Sequence, residues 1–352
     1  MIKDSIFIPI AACEERFLEQ TVRSALANAE DPNRIYFGIF NNILKKEHSL
    51  LDNDFLTNHS QIFYVELITP APMGTGFARM NASLLQFKNF DYMFQIDAHT
   101  FFGKNWDTQL INIFNKIKDQ ENIDENKLVL STSSGFMWTY YDENPEKVYA
   151  VDDEYKKIFE IDPLNLEKNA QYLLNKGTTG NRFVYDGMQG KNFQKDDLNF
   201  PIVYGSTYMD KEEYRESGCV HATFMFSKAN LTREVLHDPE DQFHGDQTNY
   251  SIRLLSRGYR IFSPKHPTIA ILNKFSMITN DPIDKDHNWR TYKTNQVGSN
   301  YLSTKINNSK INFNKIISGE YFGYWGTLDN DSLNKVKKQI NYPSEDSFRI
   351  PE

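Results

Sequence analysis

The stretch YMFQIDAH, Tyr92–His99, runs apolar and then ends on a carboxylate and an imidazole. An oxygen and a nitrogen donor offered together make a mixed site suited to a divalent ion such as Mn²⁺. Side chains two apart on a strand point the same way, so Asp97 and His99 are expected to project together where a strand ends. In open α/β sheets that carboxyl edge is where ligands sit. An ion held there can bridge a diphosphate, orient it and neutralise the charge on a departing nucleotide. The plainer reading is that Asp97 caps the next turn and His99 packs under the loop, because a three-residue match is short.

The elements around this pair alternate. Strands are expected at Ser5–Ile10, Arg34–Phe40, Gln61–Ile68, Asp91–Asp97 and Lys127–Ser133, where short apolar runs are bounded by polar residues. Helices are expected at Phe17–Ala29, Gly76–Phe87 and Trp106–Ile117, where apolar residues recur at helical spacing. Such alternation predicts an α/β fold, a mostly parallel sheet covered by helices on both faces. From Tyr141 to Tyr214 the pattern degrades into a polar, aromatic-dotted stretch, too long for a plain connection and read as an insertion or lid. Regular signals return as a strand at Cys219–Ser227, a helix at Gly245–Gly258 with Gly258 as its C-cap, and a strand at Tyr259–Pro264. After Phe275 the chain is rich in Asn and Lys and weakly patterned.

Bulk properties narrow the function. The 352 residues exceed what one core usually serves, which predicts a large domain with insertions or two fused lobes. A net charge of -8 gives no general affinity for nucleic-acid backbones. Cys13 and Cys219 are the only cysteines, too few for a disulfide framework or a zinc knuckle. No apolar run approaches a membrane span, and no secretory leader is read in the first residues. A soluble cytoplasmic protein is therefore expected, with no membrane partner. The pattern Gly74-x-Gly76-x-x-Arg79 is a poor dinucleotide fingerprint, since it lacks the last small residue and follows the third strand.

Several pieces, in order, resemble a GlcNAc-type glycosyltransferase family that includes cytoplasmic hydroxyproline GlcNAc-transferases, and more distantly the polypeptide GalNAc-transferases. IFIPIAACEERFLEQTVRSALANAEDPNRIYFGI is similar to the family's opening strand, helix and strand, with Pro32 and Arg34 in its P-x-R turn. PMGTGFARMNAS is similar to its Gly-Pro-x-x-x-Ala-Arg segment through Gly76, Ala78 and Arg79. YMFQIDAHTFFGKNWDTQLI resembles its Gln-Ile-Asp-Ser-His and the Trp-Asp pair after it. The run from Thr223 to Pro264 resembles its Phe-Ser-x-Ala, Asp-Pro, Gly-Glu-Glu helix and Gly-Tyr strand.

The resemblance implies a GT-A fold with a nucleotide-sugar half at 1–140 and an acceptor-side half at 215–275; the stretch 141–214, an insertion or lid, and the C-terminal extension 276–352 match nothing in the family. It implies Mn²⁺ or Mg²⁺ on Asp97 and His99, and a UDP-sugar donor carrying GlcNAc or a related hexose. Ala11 and Arg16 would meet the nucleoside. Gly76 and Arg79 would lie at the diphosphate or sugar, where a guanidinium suits bidentate phosphate contact; a surface ion pair is the plainer role for Arg79. Asp246 matches the family's helix-opening acid. It reads either as a first-turn residue favoured by the helix dipole or as a group that positions the acceptor or stabilises an oxocarbenium-like transition state. Transfer would retain the anomeric configuration, by front-face displacement in which the leaving diphosphate takes the acceptor proton, onto a protein, glycan or modified-nucleobase hydroxyl.

Two positions depart from the pattern. Gln247 replaces the family's second acid, and Ile271 falls near its third metal ligand, a histidine. His266 ranks ahead of His287 as a substitute, with His244 also near in sequence. Rival readings are an enzyme acting on hydroxymethylated DNA bases, a non-catalytic sugar-nucleotide binder and, on the weak glycine pattern alone, a nicotinamide oxidoreductase.

Overall fold

The protein is described here from a computed structural model. With side chains it covers residues 2–15, 17–132, 213–242, 245–265 and 304–339; backbone alone is described for 135–140, 148–152, 157–161, 179–184, 202–208, 244, 269–274 and 296–303.

The chain begins β1 (Ile6–Ala12), α1 (Leu18–Asn28), β2 (Ile35–Ile43), α2 (Asp54–Asn58), β3 (Ile62–Ile68) and α3 (Thr75–Leu84). It continues β4 (Tyr92–Asp97), β5 (Thr100–Phe102), α4 (Trp106–Gln120) and β6 (Leu128–Ser131). Strands β7 (Gly135–Tyr140), β8 (Val148–Asp152), β9 (Lys157–Ile161), β10 (Thr179–Val184) and β11 (Ile202–Tyr208) follow. Then come β12 (Tyr214–Ser217), β13 (Phe224–Lys228), α5 (Leu231–Glu234), α6 (His244–Ser256), β14 (Arg260–Pro264), β15 (Ile269–Lys274), α7 (Gln296–Ser318) and α8 (Asn330–Gln339).

The main sheet has the order β12-β14-β6-β13-β4-β1-β2-β3. The run β4-β1-β2-β3 is parallel throughout, and β14 is parallel to β6. The pairs β12–β14, β13–β6 and β13–β4 are antiparallel. Because β13 lies between β6 and β4, the early and late parts of the chain share one sheet. The strands β5-β15-β7-β8-β9 form a second sheet, and β10-β11 a third.

Helices on both faces of the main sheet account for its apolar strands. Along β1, Ile6, Ile8 and Ile10 join one core, with Leu18, Val22 and Ala25 of α1 and Trp106, Leu110, Phe114 and Ile117 of α4. Phe7 points to the opposite core, built on Tyr250, Ile252 and Leu254 of α6 with Phe313 and Ile316 of α7 and Leu333 of α8. The same alternation governs β4. Tyr92, Phe94 and Ile96 face the first core and Met93 the second, so Gln95 and Asp97 belong to the α6 side.

Two motifs that carry the family resemblance turn out to be tied together. Arg34 donates from Nε and Nη2 to Asp107 Oδ2 at 3.0 and 2.8 Å, and the Glu30 and Asp31 amides donate to the same carboxylate at 2.8 and 3.1 Å. Burial works to raise the Asp107 pKa, but these amides and the guanidinium outweigh it and hold the group below the ordinary carboxylate range. A pKa lowered by folding adds stability that is present at neutral pH and is lost as the pH falls through the folded value. Asp107→Ala leaves Arg34 facing a buried gap and is expected to cost about 3–5 kcal/mol in urea unfolding. The gap between wild type and variant should close on acidification. An equal gap at neutral and strongly acidic pH would contradict this reading.

Some expectations shift. The strand foreseen at Cys219–Ser227 begins only at Phe224, since Ser217 Oγ bonds the Cys219 backbone and His221 bridges Phe224. The weakly patterned tail contains the long helix α7. The aperiodic insertion contains the backbone strands β8 to β11. Burial pushes the Cys13 thiol up to about 12, and Cys219 is raised as well, as fits two unreactive thiols. Among the described residues no helix is long and apolar enough to cross a membrane.

Candidate active site

Asp97 is the last residue of β4, and Ala98 and His99 form a turn before β5. The pair therefore converges through a turn rather than along one strand. Thr21 of α1, fully buried, clamps that turn. Its hydroxyl donates to the Ala98 carbonyl at 2.8 Å and accepts from the Thr100 amide at 3.0 Å. Thr100 Oγ1 donates back to the Asp97 carbonyl at 2.7 Å. Farther along, Ser24 Oγ accepts from the Phe102 amide at 3.1 Å, and Trp106 Nε1 donates to the Ala25 carbonyl at 2.9 Å. One polar edge of α1 thus sets the path of the whole segment. The result places His99 Nε2 3.7 Å from Asp97 Oδ2.

On the other side of Asp97 stands Arg79. Its Nη2 donates to Asp97 Oδ1 at 3.2 Å, while Nη1 pairs with Asp246 Oδ2. Asp246 lies in the first turn of α6 with its side chain wholly buried. Burial raises the Asp246 pKa and nearby Asp97 adds to this; Arg79 and the Thr75 hydroxyl pull the other way without cancelling it. Burial works to lower the Arg79 pKa, but Asp246 and Asp97 reverse the sign and hold the guanidinium firmly charged.

Glycine makes this junction. A Cβ on Gly76 would lie 2.1 Å from the Asp238 carbonyl oxygen and 2.5 Å from that of Asp241. The Gly76 amide donates to the Asp241 carbonyl at 3.1 Å. Gly74, at φ 101°, lets the Thr75 amide reach Gln242 Oε1 at 2.8 Å. The start of α3 therefore seats flush on the loop that leads into α6, and this seating brings Arg79 to Asp246. Below them, Gln95 Nε2 donates to the Ala222 carbonyl, which leaves Gln95 Oε1 to accept from His237 Nε2 at 2.8 Å. Burial first, then the charges of Arg79 and Arg253, hold His237 well below the ordinary imidazole range, so it is a neutral support.

The loop after β1 completes the cluster. Glu14 adopts a left-handed conformation, φ 51°, and consecutive carboxylates diverge. Glu14 Oε1 accepts from the Leu44 and Lys45 amides at 2.7 and 3.2 Å. Glu15 Oε2 meets His99 Nδ1 at 3.1 Å.

Of the residues singled out from sequence, Asp97, His99, Arg79 and Asp246 come together at the carboxyl edge of the parallel strands. Ala11 lies beside them, paired in register with Asp97. Gly76 sits under Arg79 against the 238–242 loop. Arg16, His266 and His287 lie outside the described residues. The backbone of β15 pairs Ile271 with Thr100, next to the turn that carries His99. Glu15 was not foreseen from sequence. The signal available was the run Cys13-Glu14-Glu15, placed directly after a strand that ends at the same edge.

The donor set suits a divalent cation. Among the described residues, Glu15, Asp97 and Asp246 contribute three carboxylates against one guanidinium, that of Arg79, a balance that favours added positive charge. Asp97 Oδ2 and His99 Nε2, 3.7 Å apart, are the oxygen and nitrogen donors that would hold such an ion. Among the described residues no group of three His, Cys, Asp or Glu side chains is arranged around a common centre.

A family model described as glycosyltransferase (GlcNAc) matches residues 44–275, well over half of the chain. No curated protein sequence matches. Among solved structures, one of GalNAc-T7 with UDP, GalNAc and Mn2+ aligns at 14% identity and TM-score 0.45, covering 98% of this chain and 56% of that one. This chain therefore spans little more than half the length of that protein. A structure of S. aureus TarS residues 1-349 aligns at 9% identity and TM-score 0.42, covering 88% of this chain and 73% of that one.

Proposed function

The chain belongs to the glycosyltransferase (GlcNAc) family, and from that premise we propose that it is a metal-dependent GT-A enzyme. It moves GlcNAc or a related hexose from a UDP-sugar to a hydroxyl acceptor. The observation that carries the reading is the convergence of Asp97, His99, Arg79 and Asp246 at the carboxyl edge of the parallel strands. The carboxylate excess among the described residues there would repel a diphosphate, a cation would offset it, and Asp97 and His99 are the residues we propose to hold that cation. When bound, Mn²⁺ or Mg²⁺ neutralises the leaving diphosphate.

Arg79 supplies the second positive group, held charged and oriented by two carboxylates. Asp246 is wholly buried behind Arg79. It therefore works by holding the guanidinium rather than by meeting the acceptor. Asp97 and Glu15, the other carboxylates of the cluster, are read as serving the cation and His99 rather than as covalent nucleophiles. Retention then proceeds by front-face displacement, the departing diphosphate oxygen taking the acceptor proton as the new glycosidic bond forms. Ala11, level with Asp97 on the next strand, lies on the nucleoside side. The acceptor hydroxyl belongs to a protein, a glycan or a modified nucleobase, and the setting we propose is cytoplasmic.

A second reading, a non-catalytic sugar-nucleotide binder, is favoured by Ile271, which takes the expected third-ligand position on a strand beside the His99 turn. A panel of UDP-sugars incubated with Mn²⁺ or with EDTA, followed by UDP release, separates the two. The enzyme reading expects slow Mn²⁺-dependent hydrolysis of one or a few UDP-hexoses and none in EDTA. UDP-sugar binding with no turnover of any sugar would favour the second.

A further inference from the structure

We propose that Ser309, on the C-terminal helix α7, is a positioning residue that sets the Arg79–Asp246 pair. This rests on the reading of Arg79 as a group that acts on the leaving diphosphate, and adds to it a residue beyond the 44–275 family match. The pair is made of two halves far apart in sequence. Arg79 rides on α3 and Asp246 on α6; the loop at 238–242 runs into α6 and seats α3 through the Gly76 amide. Ser309 holds this loop from the α7 side. It is 2% exposed, and its Oγ accepts from the Gln242 amide at 2.7 Å and donates to the Lys305 carbonyl one helical turn earlier at 3.1 Å.

Gln242 is where the two halves meet. With its amide fixed by Ser309, its Oε1 takes the Thr75 amide at 2.8 Å and its carbonyl takes the Gly245 amide at 3.0 Å. The first bond sets the start of α3, one turn before Arg79. The second sets the residue directly before Asp246. Gly245 makes the approach possible. A Cβ there would lie 2.3 Å from Ser309 Cβ and 2.5 Å from its Oγ, so α6 and α7 meet with no room for a side chain at this point of α6. Asn249, one turn further along α6, donates from Nδ2 to Asp241 Oδ1 at 2.8 Å and to the Ser309 carbonyl at 3.2 Å. Asn312 Nδ2 reaches the same Asp241 oxygen at 3.4 Å. Phe313, Ile316 and Ile317, farther along α7, join the apolar core. The helix therefore divides its work: its polar stretch registers the loop, and its apolar stretch anchors it to the core.

The test compares two variants of the full chain. Ser309→Ala removes the acceptor of the Gln242 amide and leaves the Gly245 contact clear. Ile316→Val thins the apolar packing of the same helix and leaves the Ser309–Gln242 bond in place. Amide hydrogen exchange is followed across 74–80 and 241–246, together with UDP-sugar turnover in Mn²⁺ and the urea midpoint. In Ser309→Ala, exchange across both segments is expected to quicken, and kcat to fall about 10–100-fold with KM little changed, the signature of a displaced group that works in the transition state. In Ile316→Val the urea midpoint is expected to fall while kcat and the protection of both segments hold. In wild type at low urea, both segments are expected to open together with 305–312, as one cooperative unit.

If Ser309→Ala keeps wild-type kcat and protection, the assignment to Ser309 is wrong. If both variants lose kcat in step with their urea midpoints, α7 acts through stability alone and the positioning role is overturned. Should Ser309→Ala not fold, the wild-type exchange decides: opening of 74–80 and 241–246 with 305–312 upholds the proposal, and opening apart from it overturns it. If wild type turns over no UDP-sugar, the enzyme reading fails and the positioning of its reaction falls with it, an outcome seen without any variant.

Discussion

Arg79→Ala is expected to abolish measurable sugar transfer and also to destabilise the fold, and the two effects separate in a double variant. Removing the guanidinium leaves Asp246 buried and unpaired, at a cost of about 3–5 kcal/mol. On the proposed function it also removes a preorganised positive group from the leaving diphosphate, an expected loss of roughly 10²–10³ in kcat. Arg79→Ala combined with Asp246→Asn removes the stranded charge. Much of the unfolding free energy should return, measured in urea, while turnover stays at the level of the single variant. If the double variant regains turnover along with stability, Arg79 is a structural ion pair and nothing more. Arg79→Lys tests the same point more gently. A lysine keeps the charge but cannot bridge Asp97 and Asp246 as a fork does, so turnover should fall although the buried acid keeps a partner.

The second large effect concerns Asp97. Asp97→Ala is expected to lower Mn²⁺-dependent turnover by roughly 10³ or more, since a bound ion supplies several kcal/mol of charge stabilisation and each ~1.4 kcal/mol is tenfold in rate. The fold should survive. Asp97 lies at the sheet edge with its side chain about a fifth exposed, 21%. The turn after it is held by the backbone carbonyls of Asp97 and Ala98 bonding Thr100 and Thr21, which the substitution leaves in place. Unfolding should therefore shift by no more than the loss of one partly exposed pair to Arg79, at most about 1 kcal/mol. Full turnover in Asp97→Ala would remove the metal assignment.

The sequence disclosed some of this and hid the rest for physical reasons. Strands β1 and β4 were legible because strands covered on both faces read as unbroken apolar runs, and α4 was legible because Trp106, Leu110, Phe114 and Ile117 repeat on one face. Asp97 and His99 stood out because polar groups interrupt such a run. Gly76 was read as a residue close to the diphosphate or sugar. Its lack of a side chain also seats α3 on the Asp238 and Asp241 carbonyls, a contact far away in sequence that no local pattern encodes.

Helix α7 escaped notice because its Asn- and Lys-rich stretch shows little periodicity. Ser309, Phe313 and Ile316 are buried by packing on α6 rather than by a broad apolar stripe. Glu15 escaped because its partner is 84 positions away and its direction depends on the positive φ of Glu14. Arg34 and Asp107 were each visible as pieces of a motif. That they bind one another needed the fold.

A nucleotide-sugar site completed by a cation on Asp97 and His99 binds UDP only when both the ion and the carboxylate are present. Calorimetric titration of UDP into the wild-type protein, with Mn²⁺ and then with EDTA, tests it most directly, with Asp97→Ala as the control. UDP binding is expected to need both Mn²⁺ and Asp97. Binding of equal strength in EDTA, or no UDP binding under any condition, would contradict it.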